Sequence, residues 1–434
     1  MRFIDSVFTS LSLSREQVIP ITSVTSATAA SSLTGFIASV LAAKYLGSEG
    51  FGIFSLALSV AILVGAIGDF GFNLTMIRLF NKYQAKPEKQ TMVLGVAFGF
   101  KTILLTFIAL TCLPISGLLA LSLGGGPTDS ELFAIALITG GLLFFWTYLQ
   151  SYLQSYRSYG KLSGYILGYA GLRMACLVVA YLLNPENPLA WLIGAYTMPL
   201  AVLIFVGVIP KGLEVAPIVL KQPGASFGVL EEMLKYSKWV ALSAITYIAM
   251  PYLIRFILAI HASIADVGIF SAGMTFTMAF TVFHTAVRAI IFPQVTALEG
   301  IDQMRKYLNR LNEIAPYYAV VAALVIIALG LLQWFVLGEE YRAALPVFAV
   351  TVIAFAIATF LGLGTMLVHT MMKPEIDAFT NVARLCLMVI LALLLVPSLG
   401  ALGGAIAYVI PLIIGELLMF WIVRKEITKE VNIL

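Results

Sequence analysis

The feature that most constrains this chain is the length of its apolar runs. They extend for about 20 to 28 residues between short polar turns, long enough for each to cross a bilayer core of roughly 30 Å as a helix. In hydrocarbon every backbone N–H and C=O must be satisfied inside its own segment, so such runs form helices. Hydrophobic residues make up 61% of the 434 residues and charged residues 11%. Mean hydropathy is +0.99. A water-soluble domain could not cover that much apolar surface. The fold class is an all-α membrane protein. Twelve transmembrane helices are predicted, at 22–45, 50–78, 91–123, 130–154, 162–183, 189–209, 238–260, 266–292, 312–337, 344–370, 376–397 and 400–424.

Charge sets an expected orientation. Nineteen of the 26 Lys and Arg, Arg78, Lys82, Lys161 and Arg305 among them, fall on one side of this alternation. The opposite turns hold Lys44 and Arg342. Under the positive-inside rule both termini are cytoplasmic, and the multi-pass chain sits in a cell membrane. The net charge of +4 does not point to nucleic acid, because the basic residues lie scattered between apolar runs. Residues 1–20 mix charge with apolar residues and lack an uninterrupted apolar stretch. They are predicted to form a cytoplasmic amphipathic segment and not a cleavable signal.

An internal echo organises the rest. Gly52-Ile53-Phe54-Ser55 returns as Gly268-Ile269-Phe270-Ser271, 216 positions later, and both copies open an even-numbered span. The even number of intervening spans predicts two six-helix lobes in the same orientation, related by a parallel pseudo-twofold repeat. The lobes are 21–209 and 238–424, joined by a cytoplasmic linker at 210–237 and followed by a tail at 425–434. Spans 1, 2, 7 and 8 are expected to line a cavity between them.

Several motifs stand in a telling order. They are Leu46-Gly47-Ser48-Glu49-Gly50-Phe51-Gly52-Ile53-Phe54-Ser55, then Asp69-Phe70-Gly71 with Arg78, then the segment at 291–298, then Leu399-Gly400-Ala401-Leu402-Gly403-Gly404-Ala405. Together they resemble the polysaccharide transporter branch, the Wzx-type O-antigen and oligosaccharide-lipid flippases, of the multidrug/oligosaccharidyl-lipid/polysaccharide exporter superfamily. The second lobe is the looser match, with Ala265-Asp266-Val267 where the first has Glu49-Gly50-Phe51. The resemblance implies a flippase moving an undecaprenyl-diphosphate-linked oligosaccharide from the inner to the outer leaflet of a bacterial cytoplasmic membrane, by alternating access. Membrane lipid, a polysaccharide polymerase and assembly proteins are candidate partners.

The intramembrane charges speak to the substrate. Five cations fall within spans: Lys101, Arg173, Arg255, Arg288 and Arg384. The clear intramembrane acids are Asp69 and Glu416. Charges at this depth face a cavity or a partner. A cationic surplus suits an anionic solute, and the guanidinium fork matches phosphate. Arg255, Arg288, Lys101 and Arg173 are the candidate substrate-binding residues. Asp69, Arg78, Glu416 and His284 are the candidate gate or coupling residues. Each has a plainer reading. Lys101 and Arg173 pair or snorkel, Asp69 partners Arg78 or Arg288, and Arg384 pairs with Asp377 nearby. The aromatic run from Phe144 to Tyr159 reads as interfacial anchoring, with sugar stacking as the sharper alternative.

Enzyme chemistry finds no support. The outer turns are too short for an active site, and no zincin, P-loop or clustered Cys/His pattern is present, so no cofactor or metal is expected. Cys112, Cys176 and Cys386 stand singly in apolar runs as small core residues. The competing function is an ion-coupled drug or small-solute exporter of the same superfamily, whose cationic substrates would favour an acidic cavity.

Overall fold

In a computed structural model the backbone is described for residues 15–123, 129–296, 301–365, 367 and 374–431, and side chains for 22–123, 129–280, 303–365, 367 and 378–425. The described residues form helices and turns, with no strand among them. In chain order the helices are α1 (Arg15–Asp69), α2 (Phe72–Lys82), α3 (Pro87–Ser122), α4 (Asp129–Ser155) and α5 (Tyr159–Leu183). Next come the short α6 (Pro188–Leu192), a π-helical turn (Ile193–Thr197) and α7 (Met198–Lys221). Then follow α8 (Pro223–His261), α9 (Ile264–Thr296), α10 (Ile301–Leu337), a 3₁₀ turn (Glu339–Tyr341), α11 (Ala344–Thr365) and α12 (Pro374–Val431). Among the described residues, nine helical stretches are long and apolar enough to cross a membrane, and 264–280 of α9 forms a shorter apolar helix. The expectation of a multi-pass all-α membrane protein is met.

Two helices are far longer than a bilayer. α1 has 55 residues and α12 has 58, or about 80–90 Å each at 1.5 Å per residue. Each is interrupted by one glycine with positive φ, Gly47 (φ 68°) and Gly400 (φ 54°). Glycine has no Cβ to oppose the left-handed region, so the chain can turn there without leaving helical residues on either side. The freed N–H groups are met by carboxylates from elsewhere in the chain. Glu340 Oε1 accepts from Ser48 N at 2.5 Å, and Asp266 Oδ1 accepts from Ala401 N at 3.0 Å. These are N-terminal caps supplied in trans by acids.

The Asp-x-Gly motif is also a bend. Phe70 (φ 46°) and Gly71 (φ 69°) both take positive φ, which ends α1 at Asp69 and starts α2 at Phe72. The predicted span 50–78 is therefore not one straight helix. Phe70 bears a Cβ in the left-handed region, a strain of about 1–2 kcal/mol.

The linker expected at 210–237 is helical almost throughout. α7 runs to Lys221 and α8 starts at Pro223, with Gln222 alone between them. The physical reason lies in packing. Val229 and Met233, in the first third of α8, are buried with Phe72, Met76, Phe144 and Tyr148 of the first half. Met250, Ile254 and Leu258, further along α8, are buried with residues of α9, α11 and α12. One helix thus begins on the first half of the chain and ends on the second. Of the amphipathic segment predicted at 1–20, residues 15–20 begin α1, while residues 1–14, like 432–434, lie outside those described.

The halves meet chiefly where α1 lies against α9. A methyl on Gly52 would sit 2.1 Å from the Ile264 carbonyl oxygen, and one on Gly268 would sit 1.9 Å from the Ser48 carbonyl oxygen. The two contacts are reciprocal across the Gly-Ile-Phe-Ser copies. Small residues at such a crossing let helix backbones touch, which is how helices associate in lipid.

Candidate substrate cavity

Between the halves lies a cavity of about 270 Å³. α1 contributes residues on both sides of Gly47, including Ser32, Ser39, Leu58 and Ile62. The π turn contributes Tyr196, α8 contributes Tyr252 and Arg255, and α9 contributes Met274, Thr275 and Met278. These come from predicted spans 1, 2, 7 and 8, as expected, with Tyr196 of span 6 added. No carboxylate is among the described lining residues.

Arg255 is the charged group among the described residues of this wall. It is only 8% exposed. Its Nη1 donates to Ser59 Oγ at 3.1 Å and its guanidinium lies 5.0 Å from the centre of the Tyr252 ring. Its Nε has no hydrogen-bond partner, and no carboxylate lies within ion-pair distance among the described residues. A guanidinium held away from water with an unmet donor is costly unless something anionic or polar reaches it.

The other predicted cations are placed differently. Lys101 is fully buried, and its Nζ donates to Asp69 Oδ1 at 2.7 Å and to the Phe144 carbonyl at 2.9 Å. It does not line the cavity, and Asp69 pairs with it and not with Arg78; the Arg288 side chain lies outside those described. The cause is the bend at Phe70–Gly71, which ends α1 with Asp69 against α3. Arg384 Nη2 meets Glu416 Oε1 at 3.1 Å, and Nη1 reaches Asn381 Oδ1 at 3.3 Å. Among the described residues its acid comes from 32 positions later on α12; the side chain of Asp377, the expected partner, lies outside those described. Glu416 also accepts from Thr365 Oγ1 at 3.4 Å.

Arg173 is 6% exposed and has no carboxylate within ion-pair distance among the described residues. It donates from Nε to the Ala195 carbonyl at 3.0 Å and from Nη1 to the Ser31 carbonyl at 3.2 Å. Its guanidinium lies over the rings of Tyr169 (4.3 Å) and Tyr196 (5.1 Å).

Arg78 lies 4.0 Å from the centre of the Tyr236 ring on α8, beside a contact of Lys82 Nζ with Glu232 Oε1 at 2.6 Å. Tyr83 donates to the same carboxylate. These contacts tie α2 and the turn after it to the start of α8. His284 and Arg288 belong to the helical backbone of α9, but their side chains lie outside those described. The aromatic run of α4 packs inside the first half: Phe144 and Tyr148 are fully buried, and the Tyr148 hydroxyl donates to the Leu94 carbonyl. Neither lines the cavity. The aromatics that do, Phe36, Tyr196 and Tyr252, carry no motif in the sequence; only Tyr252 stands beside a predicted intramembrane arginine, Arg255, along the chain.

Comparison with known proteins agrees with this architecture. Residues 20–209 match the family model described as polysaccharide biosynthesis protein. The chain is 23% identical to the lipid III flippase of Escherichia coli (strain K12) over 394 residues, covering 88% of this chain and 92% of that protein. It is 20% identical to a putative O-antigen transporter of Shigella flexneri over 393 residues, with the same coverage of each. Among solved structures, an inward-facing multidrug resistance transporter of the MATE family in the MOP superfamily superposes with a TM-score of 0.72 at 16% identity. That match covers 92% of this chain and 95% of the other. The chain is a multi-pass membrane protein with a MATE-like fold, similar over most of its length to flippases and transporters of polysaccharide biosynthesis. The resemblance drawn from its motifs to the polysaccharide transporter branch is borne out.

Proposed function

We propose that this chain flips a polyprenyl-diphosphate-linked oligosaccharide from the inner to the outer leaflet of a bacterial cytoplasmic membrane, by alternating access between its two halves. Arg255 carries the reading. It is a buried guanidinium with an unmet N–H, free of any carboxylate at ion-pair distance among the described residues, in the wall of a cavity between the halves. A diphosphate supplies the missing countercharge and a geometry that the fork can grip. The names of the two relatives, a lipid III flippase and a putative O-antigen transporter, support the same substrate class.

The breaks at Gly47 and Gly400 divide α1 and α12 into two passes each; with α2 continuing the second pass and α6 running into α7, the eight passes of α3, α4, α5, α7, α8, α9, α10 and α11 bring the total to twelve. Both termini and the Lys82 end of the molecule are then cytoplasmic, on the strength of the charge distribution. The lobes are 21–209 and 238–424, and the helical 210–237 joins them. The Gly52–Gly268 contact is the outer closure, and it must part for release. Arg288 is the second proposed diphosphate ligand. Lys101, Asp69, Arg384 and Glu416 are proposed as structural pairs, and Arg78 as the inner contact to Tyr236. A drug exporter shares the fold, but the described lining residues offer no acid to a cationic drug.

The test is charge removal at Arg255. In a strain lacking its own copy, Arg255→Ala should abolish surface glycan while leaving protein level and membrane insertion intact. Arg255→Lys should restore part of it, because the charge survives without the fork. Normal glycan with Arg255→Ala, together with a changed tolerance of cationic drugs, would replace this reading with the exporter.

A further inference from the structure

Arg173 was singled out from sequence as a substrate ligand, yet its donors point at main chain. Its Nε is spent on the Ala195 carbonyl and its Nη1 on the Ser31 carbonyl. Ala195 lies in the π turn, the residue directly before Tyr196. A π turn widens the helix by one residue and displaces a carbonyl from the regular ladder, and such turns cluster at functional sites. A second tie holds the turn from the other side, since Thr197 Oγ1 lies 2.7 Å from Thr139 Oγ1. The guanidinium also lies over the Tyr196 ring. Tyr196 is therefore fixed by its neighbours on either side and by the cation against its ring, while it lines the cavity that holds Arg255.

The chemistry of that wall is specific. Tyr196 from the first half and Tyr252 from the second both line it, with the hydroxyls of Ser32, Ser39 and Thr275 around them. A pyranose ring presents a face of C–H groups, which packs against the electron-rich face of an aromatic ring. Its edge carries hydroxyls that hydrogen-bond to serine and threonine. Resting on the flippase reading above, we propose that Tyr196, with Tyr252, is the stacking surface for the sugar joined to the diphosphate. Arg173 is the positioning residue that holds Tyr196 in place. Arg255 grips phosphate; Tyr196 discriminates what the phosphate carries.

The experiment titrates the full chain in detergent with two probes, undecaprenyl diphosphate and undecaprenyl diphosphate bearing one hexose, read by native mass spectrometry. Tyr196→Ala should weaken the hexose-bearing probe about tenfold and leave the bare diphosphate unchanged. Tyr196→Phe should keep most of the affinity. Arg173→Ala should copy the selective loss of Tyr196→Ala, whereas Arg255→Ala should weaken both probes. Should Arg173→Ala fail to fold, Gly35→Ala serves instead: its methyl would sit 2.7 Å from Arg173 Nη1 and displace the guanidinium without removing its charge. Equal weakening of both probes by Arg173→Ala makes it a diphosphate ligand and overturns the positioning role. Unchanged hexose-probe binding by Tyr196→Ala overturns the stacking surface alone. A wild-type protein that binds neither probe overturns the flippase reading, and this inference with it.

Discussion

At the scale of single residues, the contrast between Lys101 and Arg255 decides what each can do. Both are buried cations in predicted spans. Lys101 has a carboxylate at 2.7 Å and a carbonyl at 2.9 Å, whereas Arg255 has one hydroxyl and an unmet Nε. Removing one member of a buried pair strands the other charge, which costs about 3–5 kcal/mol; removing both is often nearly neutral. Lys101→Met should therefore lower the melting temperature in detergent sharply. Adding Asp69→Leu to it should recover most of the loss. A double variant as unstable as the single one would mean that the pair has a role beyond mutual neutralisation. Arg255→Met should leave the melting temperature nearly unchanged, because no buried carboxylate is left behind. The sequence showed five intramembrane cations against two acids. Which cations the acids satisfy depended on the bend at Phe70–Gly71 and on the path of α12, and neither is a local property of the cations.

At the scale of elements, the junction of α1 and α9 is the critical surface. The approach through Gly52 and Gly268 leaves no room for a side chain, since the added carbon would fall about 2 Å from a main-chain carbonyl oxygen in each case. Gly52→Val and Gly268→Val should each force the helices apart. A cysteine at Ser59, beside Arg255, should then react faster with a membrane-impermeant maleimide added outside. Unchanged labelling in both variants would show that the contact does not hold the outer end closed. The 3₁₀ turn acts at the same end. Glu340 caps Ser48 N, and the Tyr341 hydroxyl donates to the Ala43 carbonyl at 2.9 Å. Tyr341→Phe removes one bond of about 1 kcal/mol and should give a smaller change of the same sign. The four-residue repeat was visible as a string. That its two copies touch each other was not, because the meeting point is set by how the helices cross.

At the scale of the whole molecule, the proposed topology has a direct test. In a cysteine-free background, single cysteines at Glu49, Glu186 and Ser398 should react with an impermeant reagent outside intact cells. Cysteines at Gln84, Gly224 and Lys306 should react only after permeabilisation. All six positions are exposed, so a silent site reports sidedness and not burial. Labelling of Gly224 from outside would break the parallel arrangement of the two halves, since that residue lies in the first turn of α8, the helix common to both. The same helix explains why 210–237 read as a loop. Its prolines and charges mark a boundary in lipid, and they also suit a helix that has left the membrane and packs on the first half through Val229 and Met233.

The sequence by itself determined the medium and the class. Runs of apolar residues of bilayer length admit helices and nothing else, because hydrocarbon offers backbone groups no other partner. The motif order pointed to the polysaccharide transporter branch, and a surplus of intramembrane cations pointed to an anionic load. Only the tertiary structure decided which of the described cations have a carboxylate beside them. Pairing is a matter of which atoms lie within about 4 Å, and that depends on two left-handed glycines, a bend after Asp69 and a π turn that contains Tyr196. Each is a local departure from helix that redirects a whole segment. An ion pair and a cavity-lining guanidinium have the same one-letter signature, and they differ only in what the fold brings beside them.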